Sequence, residues 1–289
     1  MTCKGKFVAF NNKLSVLSCW TCGFAHLFPR PDTNGYYESD RFYSEHSPCG
    51  WLMKEVDEYR DRLWNSAYIH QLKLFGSPCK SLIDVGAGTG IFVDFAYRHG
   101  YSPVYGIEPS HSARTVSSVI SGNVLFPDLG TFKERVLTFS QYDMNVRMSL
   151  VLEHIIDPVK FIQEYKPLMG ETGKLMVIVP SEFNPLQRRV DGNWFVSNVH
   201  INYFTPQSLQ KMLESVGLRV IYIGATFPTE AFILAGLDHR NNPELGKKLH
   251  RMRLKFERKF GPRIFDWYKA LFDRWGWGRE VVMVAEVNS

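Results

Sequence analysis

Apolar residues recur along this chain with two alternating periods. Short, nearly unbroken apolar runs lie at 81–85, 103–107, 124–129, 174–179, 218–223 and 280–287, and a weaker one, interrupted by Asn145 and Arg147, lies at 142–148. Runs of this length, bounded by glycine, proline or charge, predict strands. Between them the spacing lengthens to three and four residues, which predicts helices at 90–99, from about Ser112, at 157–168 and from Thr205. Thr205 suits the cap and Pro206 the first helical position of the last of these. Leu52, Val56, Tyr59, Leu63, Tyr68 and Leu72 predict one or two helices before the first strand. Strands alternating with helices predict an α/β fold.

The turn between the first strand and its helix carries the strongest chemical signal. Leu82-Ile83-Asp84-Val85-Gly86-Ala87-Gly88-Thr89-Gly90 ends an apolar run in an acid and then sets glycine at every second position. Strand, glycine turn and helix form a nucleotide-binding crevice at the carboxyl end of a strand. The dinucleotide pattern G-x-G-x-x-G fails, because position 91 is Ile, and no G-K-[ST] follows. Glu108 ends the second strand, 18 residues past Gly90. An acid there can accept hydrogen bonds from both hydroxyls of a ribose.

The Asp84-to-Gly90 segment resembles motif I of class I S-adenosylmethionine-dependent methyltransferases, D-x-G-x-G-x-G. The resemblance implies a Rossmann-like sheet of seven strands, the last antiparallel, with helices on both faces. It implies S-adenosylmethionine as cofactor, held by Asp84, Gly86, Ala87, Gly88 and Gly90, with Glu108 on the ribose and Pro109 beside it. It further places Asp128 near the adenine amino group and Leu150 at the cofactor's edge.

Two histidine stretches follow. Leu152-Glu153-His154-Ile155-Ile156-Asp157-Pro158 sits after the fourth strand, where substrates enter such a sheet. It resembles a signature of small-molecule methyltransferases, including ubiquinone-pathway and nucleotide-sugar enzymes. His200-Ile201-Asn202-Tyr203-Phe204-Thr205 precedes a helix in a second stretch that recurs in that family. A histidine at either place can take a proton from a hydroxyl, amine or acidic carbon. His200 is slightly favoured as base, with Tyr203 positioning the nucleophile. The alternative that either histidine only braces its loop stays open. The ubiquinone enzymes bind a divalent metal with a further acid where this chain has Leu150, so no metal is expected here.

Four segments follow: an N-terminal extension (1–50), the methyltransferase core (51–240), a basic helical insertion (241–278) and the last core strand (279–289). In the extension, Cys19-Trp20-Thr21-Cys22-Gly23 is a knuckle. Methyltransferases of the resembled group often carry two. Here Cys3 stands 15 intervening residues before Cys19, and the partner it would need falls at position 0. A closed zinc site needs four ligands. The favoured expectation is a relic knuckle packed without metal, with His26 or His46 a fourth ligand only by an unusual arrangement. Pro29 and Pro31 then lead into Tyr36, Tyr37, Phe42 and Tyr43, while Cys49 and Cys79 lack partner spacing.

In the insertion, Leu245, Leu249, Met252, Phe256 and Phe260 form one apolar helical stripe, and Phe265, Tyr268, Phe272 and Trp275 another. Both are expected to pack on the core. The window from Pro243 to Arg263 holds eight basic residues against two acids, a net +6, within a chain of net +5. Its solvated face can receive an anionic substrate or touch an anionic membrane surface.

The chain has 289 residues, 45% hydrophobic, with five cysteines. No apolar run approaches the roughly 20 residues of a membrane helix. A soluble, cytoplasmic protein is expected. Nucleic-acid base methylation is disfavoured, because Ser149 to Leu152 lacks the Asn/Asp-Pro-Pro-aromatic segment. The expected function is O- or C-methylation of a sugar, nucleotide-sugar or secondary metabolite. A second reading is an idle S-adenosylmethionine-binding protein whose basic helices hold a partner or membrane.

Overall fold

The computed structural model describes residues 3–11, 14–32, 37, 39–41, 51–76, 80–121, 125–136, 143–190 and 195–288. Expectations for Tyr36, Phe42, Tyr43, His46, Cys49, Cys79, Val124 and Tyr142 lie outside the described residues. In chain order the elements are β1 (Gly5–Asn11), β2 (Leu14–Cys19), β3 (Ala25–Leu27), α1 (Trp51–Arg60), α2 (Asn65–Phe75), β4 (Leu82–Val85), α3 (Ile91–Arg98), β5 (Val104–Ile107), α4 (His111–Ser121), α5 (Leu129–Val136), β6 (Asn145–Ser149), α6 (Pro158–Tyr165), β7 (Lys174–Pro180), β8 (Asn202–Tyr203), α7 (Pro206–Ser215), β9 (Leu218–Ala225), α8 (Glu230–Leu234), α9 (Pro243–Phe260), α10 (Ile264–Trp275) and β10 (Glu280–Val287).

The larger sheet runs β5-β4-β6-β7-β10-β9. β4, β5, β6 and β7 are parallel neighbours, and β10 lies antiparallel between β7 and β9. Side chains on alternate faces of a strand build two cores. Ile83 and Val85 join Val146, Met148, Val177 and Met283 on one face. Leu82, Met176, Ile178 and Val282 join Phe92 and Phe95 on the other.

The expected strand at 124–129 is reduced to one bridge, Phe126 to Ile107. Pro127 has no N–H to give a ladder. Asp128 then starts α5, accepting from the Thr131 N–H at 2.7 Å. β6 keeps its place despite Arg147, because that side chain meets Asp84 at 2.7 Å instead of lying unpaired in the core.

A second sheet, β1-β2-β3-β8, joins the N-terminal extension to the core. β8 comes from the stretch after β7, and His26 lies opposite Asn202, Ala25 opposite Tyr203. Two residues of pairing are too short to show in a hydrophobic pattern.

The insertion forms two helices, but α9 turns a different face inward from the one its stripe indicates. Leu249, Leu254 and Glu257 are buried, whereas Met252, Phe256 and Phe260 are 48%, 42% and 53% exposed. Polar anchors set this rotation. Ser66 donates to the Glu257 carbonyl at 2.9 Å, His250 meets Glu58 at 3.3 Å and Arg251 meets Asp61 at 2.6 Å. In α10, Phe265 and Tyr268 pack as expected, while Trp275 is 44% exposed. No helix among the described residues is long and apolar enough to cross a membrane.

Candidate active site

The glycine turn is shaped by its neighbours. Gly86, Gly88 and Gly90 all have positive φ, which side chains rarely adopt. A Cβ on Gly86 would run into Val151, and one on Gly90 into the Ser117 hydroxyl. These two glycines therefore serve protein packing, beyond whatever approach they allow a ligand. The Gly86 and Ala87 N–H groups both donate to the Ile107 carbonyl, at 2.8 and 2.9 Å, which ties the turn to β5.

Glu108 is buried beside this turn. Its Oε2 accepts from the Gly88 N–H at 2.8 Å and its Oε1 from the Ser110 N–H at 2.9 Å. Burial pushes its carboxyl up from the ordinary value. Each carboxylate oxygen has two lone pairs, so both retain capacity for a hydroxyl donor. Pro109 follows, with its carbonyl held by Arg114 at 2.6 Å. Asp40 accepts from the Ser112 hydroxyl at 2.8 Å and so fixes the start of α4 from the N-terminal extension. Glu55 of α1 accepts from the Thr89 hydroxyl at 3.2 Å and covers the turn from above.

Two of the expected cofactor residues are already engaged. Asp84 is taken up by Arg147, whose guanidinium lies 4.0 Å from the centre of the Phe92 ring. Asp128 is exposed and holds Thr131 with both oxygens. Leu150 stands at the end of β6 with φ 57°, the left-handed region, and its side chain is 46% exposed at the sheet edge. Holding a leucine there costs on the order of 1 kcal/mol. The Leu150 N–H gives a 2.7 Å bond to Ile178, which fixes that conformation.

The two histidine stretches, with His154 and His200 46 positions apart, meet at this edge. Glu153, His154 and His200 each offer a ligand atom within 4.8 Å of the others, and the two rings lie 5.1 Å apart. Backbone bonds assemble them: the Ile201 N–H donates to the Glu153 carbonyl at 2.7 Å. The Asn202 amide donates to the carbonyls of Leu152 and Ile155, at 2.8 and 2.6 Å. His154 Nδ1 meets the Val199 carbonyl at 2.8 Å, so Nδ1 carries the proton and Nε2 has its lone pair. Nε2 is 3.9 Å from Glu153. Burial drives the Glu153 carboxyl up to about 8, and neither of its oxygens has a hydrogen-bond partner among the described residues. Burial, with His154 next to it, drives His200 down to about 3.

Tyr203 lies elsewhere. Asn202 faces Leu152, whereas Tyr203, next along β8, turns to the opposite side. Its hydroxyl bonds the backbone of Ser197 at 3.2 Å. It lines a cavity of about 570 Å³ between the small sheet and the loop after β7, together with Phe24, Phe183, Gln187, Arg188 and Ser208. Arg279, held between Glu182 at 3.7 Å and Glu230 at 3.5 Å, anchors the base of that loop.

A model of the methyltransferase domain family matches residues 56–223. The chain belongs to that family. As a methyltransferase it shares its fold with an S-adenosylmethionine-dependent methyltransferase of Archaeoglobus fulgidus. That likeness has a TM-score of 0.53 at 16% identity, over 81% of this chain and 99% of the other. Phosphoethanolamine N-methyltransferase 2 of Haemonchus contortus, solved with S-adenosyl-L-methionine, gives 0.51 at 16% identity, over 78% of this chain and 53% of the other. Protein arginine N-methyltransferase 2 of Dictyostelium discoideum is 24% identical over 207 residues. These are 65% of this chain and 39% of that protein, so this methyltransferase spans about two fifths of the curated relative's length. S-adenosylmethionine is the cofactor of this class. The turn suits it: a buried carboxylate sits against a glycine run that has neither the G-K-[ST] of a phosphate cradle nor a lysine.

Proposed function

We propose that the protein transfers a methyl group from S-adenosylmethionine to a hydroxyl or acidic carbon of a small molecule, with His154 as the proton acceptor. The reading rests chiefly on the meeting of Glu153, His154 and His200 at the carboxyl edge of β6, within a methyltransferase fold.

Gly86, Ala87, Gly88, Gly90, Pro109 and Leu150 would surround the cofactor, and Glu108 would accept from its ribose. Asp84 would act through Arg147 and Asp128 through the start of α5. When bound, the cofactor supplies an electrophilic methyl group. The chain's own residues then orient the acceptor, exclude water and remove one proton. His154 suits that task because its Nδ1 donates to the Val199 carbonyl, which leaves Nε2 as the ring nitrogen that can take up a proton. His200, held near 3, stays neutral but is a feeble base, so it serves better as a wall and polar contact. The protonated Glu153 keeps the edge uncharged until pH approaches 8. Tyr203 shapes the loop that closes the far side.

A sugar or nucleotide-sugar is the favoured acceptor class. Arg188, on the wall of the cavity across β8 from the histidine edge, can donate to hydroxyl or phosphate oxygen, whereas Gln187 and Ser208 already donate to Glu182 and to the Thr205 carbonyl. The basic insertion supports an anionic acceptor less than its charge suggests, since Arg251 is paired with Asp61 and Lys247 with Glu244.

The test is transfer of labelled methyl from the cofactor into a cell extract, fractionated by size. Label in small molecules, lost with His154→Asn, is the expected result. Label in protein would move the acceptor to the class named in the arginine methyltransferase relative. Cofactor binding with no transfer in any extract would favour an idle binding protein.

A further inference from the structure

We infer that the N-terminal extension holds a zinc ion on Cys3, Cys19, Cys22 and His26. Sequence spacing favours a metal-free knuckle, because only three thiols are visible there. The small sheet brings the fourth ligand in from β3. The three Sγ atoms and one imidazole nitrogen all lie within 4.8 Å of one another. Cys3 and Cys22 have sulfurs 3.9 Å apart, and all three thiols are free. Two sulfurs on a tetrahedral zinc, each about 2.3 Å from the metal, stand about 3.8 Å apart.

His26 provides an independent sign. It is fully buried. Its Nδ1 meets the Leu27 carbonyl at 2.7 Å, which fixes the proton on that nitrogen and leaves the lone pair on Nε2. That Nε2 is buried with no hydrogen-bond partner. An unpartnered buried nitrogen is costly, and a carbonyl on the opposite ring nitrogen is the arrangement that holds a metal-binding histidine. The knuckle itself is formed for a metal. Gly23, at φ 78°, makes the turn, and the Cys22 N–H points at the Cys19 sulfur at 3.4 Å. The Arg30 guanidinium lies 3.5 Å from the Cys22 sulfur and would offset thiolate charge. Three sulfurs and one imidazole in a closed, partly buried site suit zinc.

Position gives the ion a task. His26 lies opposite Asn202, whose amide holds the carbonyls on either side of Glu153 and His154. Arg30 also donates to the Ile156 carbonyl. The ion would therefore pin the small sheet to the histidine edge. Zinc on these four residues is independent of methyl transfer, because bound metal is measured directly.

The whole protein, purified under reducing conditions from zinc-supplied cells, should carry one zinc per chain by elemental mass spectrometry. Exchange for cobalt(II) should give the intense thiolate-to-metal absorption and the visible bands of a tetrahedral S₃N site. His26→Ala and Cys19→Ser should lower bound zinc at least tenfold, and His26→Cys should retain it. Should His26→Ala fail to fold, the wild-type cobalt spectrum and His26→Cys decide. Wild-type protein that is metal-free and takes up neither zinc nor cobalt overturns the inference. Full zinc with an unchanged cobalt spectrum in folded His26→Ala overturns the assignment of the fourth ligand.

Discussion

Two residues separate proton chemistry from scaffolding at the histidine edge. His154→Asn should cut turnover by roughly 10²–10⁴-fold with cofactor affinity unchanged. His200→Asn should cost less, because a ring whose conjugate acid lies near 3 takes up little of a proton from an acceptor. Single-turnover rates beside cofactor titrations check both, and equal losses would return His200 to the role its position in the sequence suggests. Glu153 makes a prediction about pH. Its folded value of about 8 exceeds the ordinary 4.5, so between these values the folded chain keeps a proton that the unfolded chain has lost. Stability should therefore fall as pH rises from about 4.5 to 8, by a few kcal/mol. Glu153→Gln should flatten that slope and raise Tm more at pH 8 than at pH 5. A parallel loss of Tm in wild type and variant would contradict the buried-acid account. The glycine turn was legible because its positive φ angles demand glycine. The roles of Arg147, Glu55 and His26 were not, since each meets a partner 34 or more places distant in sequence.

Among the elements, strands and helices of the core followed the two hydrophobic periods closely. The exceptions have local causes. Pro127 and Asp128 ended the third strand before it could form a ladder, and β8 is two residues long. The insertion shows the limit of periodicity: it finds an apolar stripe but not the polar anchors that rotate the helix. Leu254 lies off the stripe and is fully buried, while Phe256 lies on it and is 42% exposed. Leu254→Ala should therefore lose about 2–5 kcal/mol, and Phe256→Ala no more than about 0.5 kcal/mol. Urea denaturation of both variants checks this. A larger loss at Phe256 would mean that the stripe is the packed face after all.

At the scale of the molecule, a six-stranded sheet presents its glycine turn and its histidine pair along one edge, and a second sheet is fastened across part of that edge. The sheet could be read from pattern because both its faces are buried and each strand advertises itself. The second sheet could not, because it unites residues 5–27 with 202–203 through backbone bonds. The central claim is that the glycine turn, with Glu108 beside it, holds S-adenosylmethionine. Calorimetric titration of wild type and Glu108→Ala, with circular dichroism to verify folding, tests it most directly. One site in the wild type, weakened by about 1–3 kcal/mol or roughly 5- to 150-fold in the variant, is the predicted result. Equal affinity in the two folded proteins, or no binding by the wild type, would contradict it.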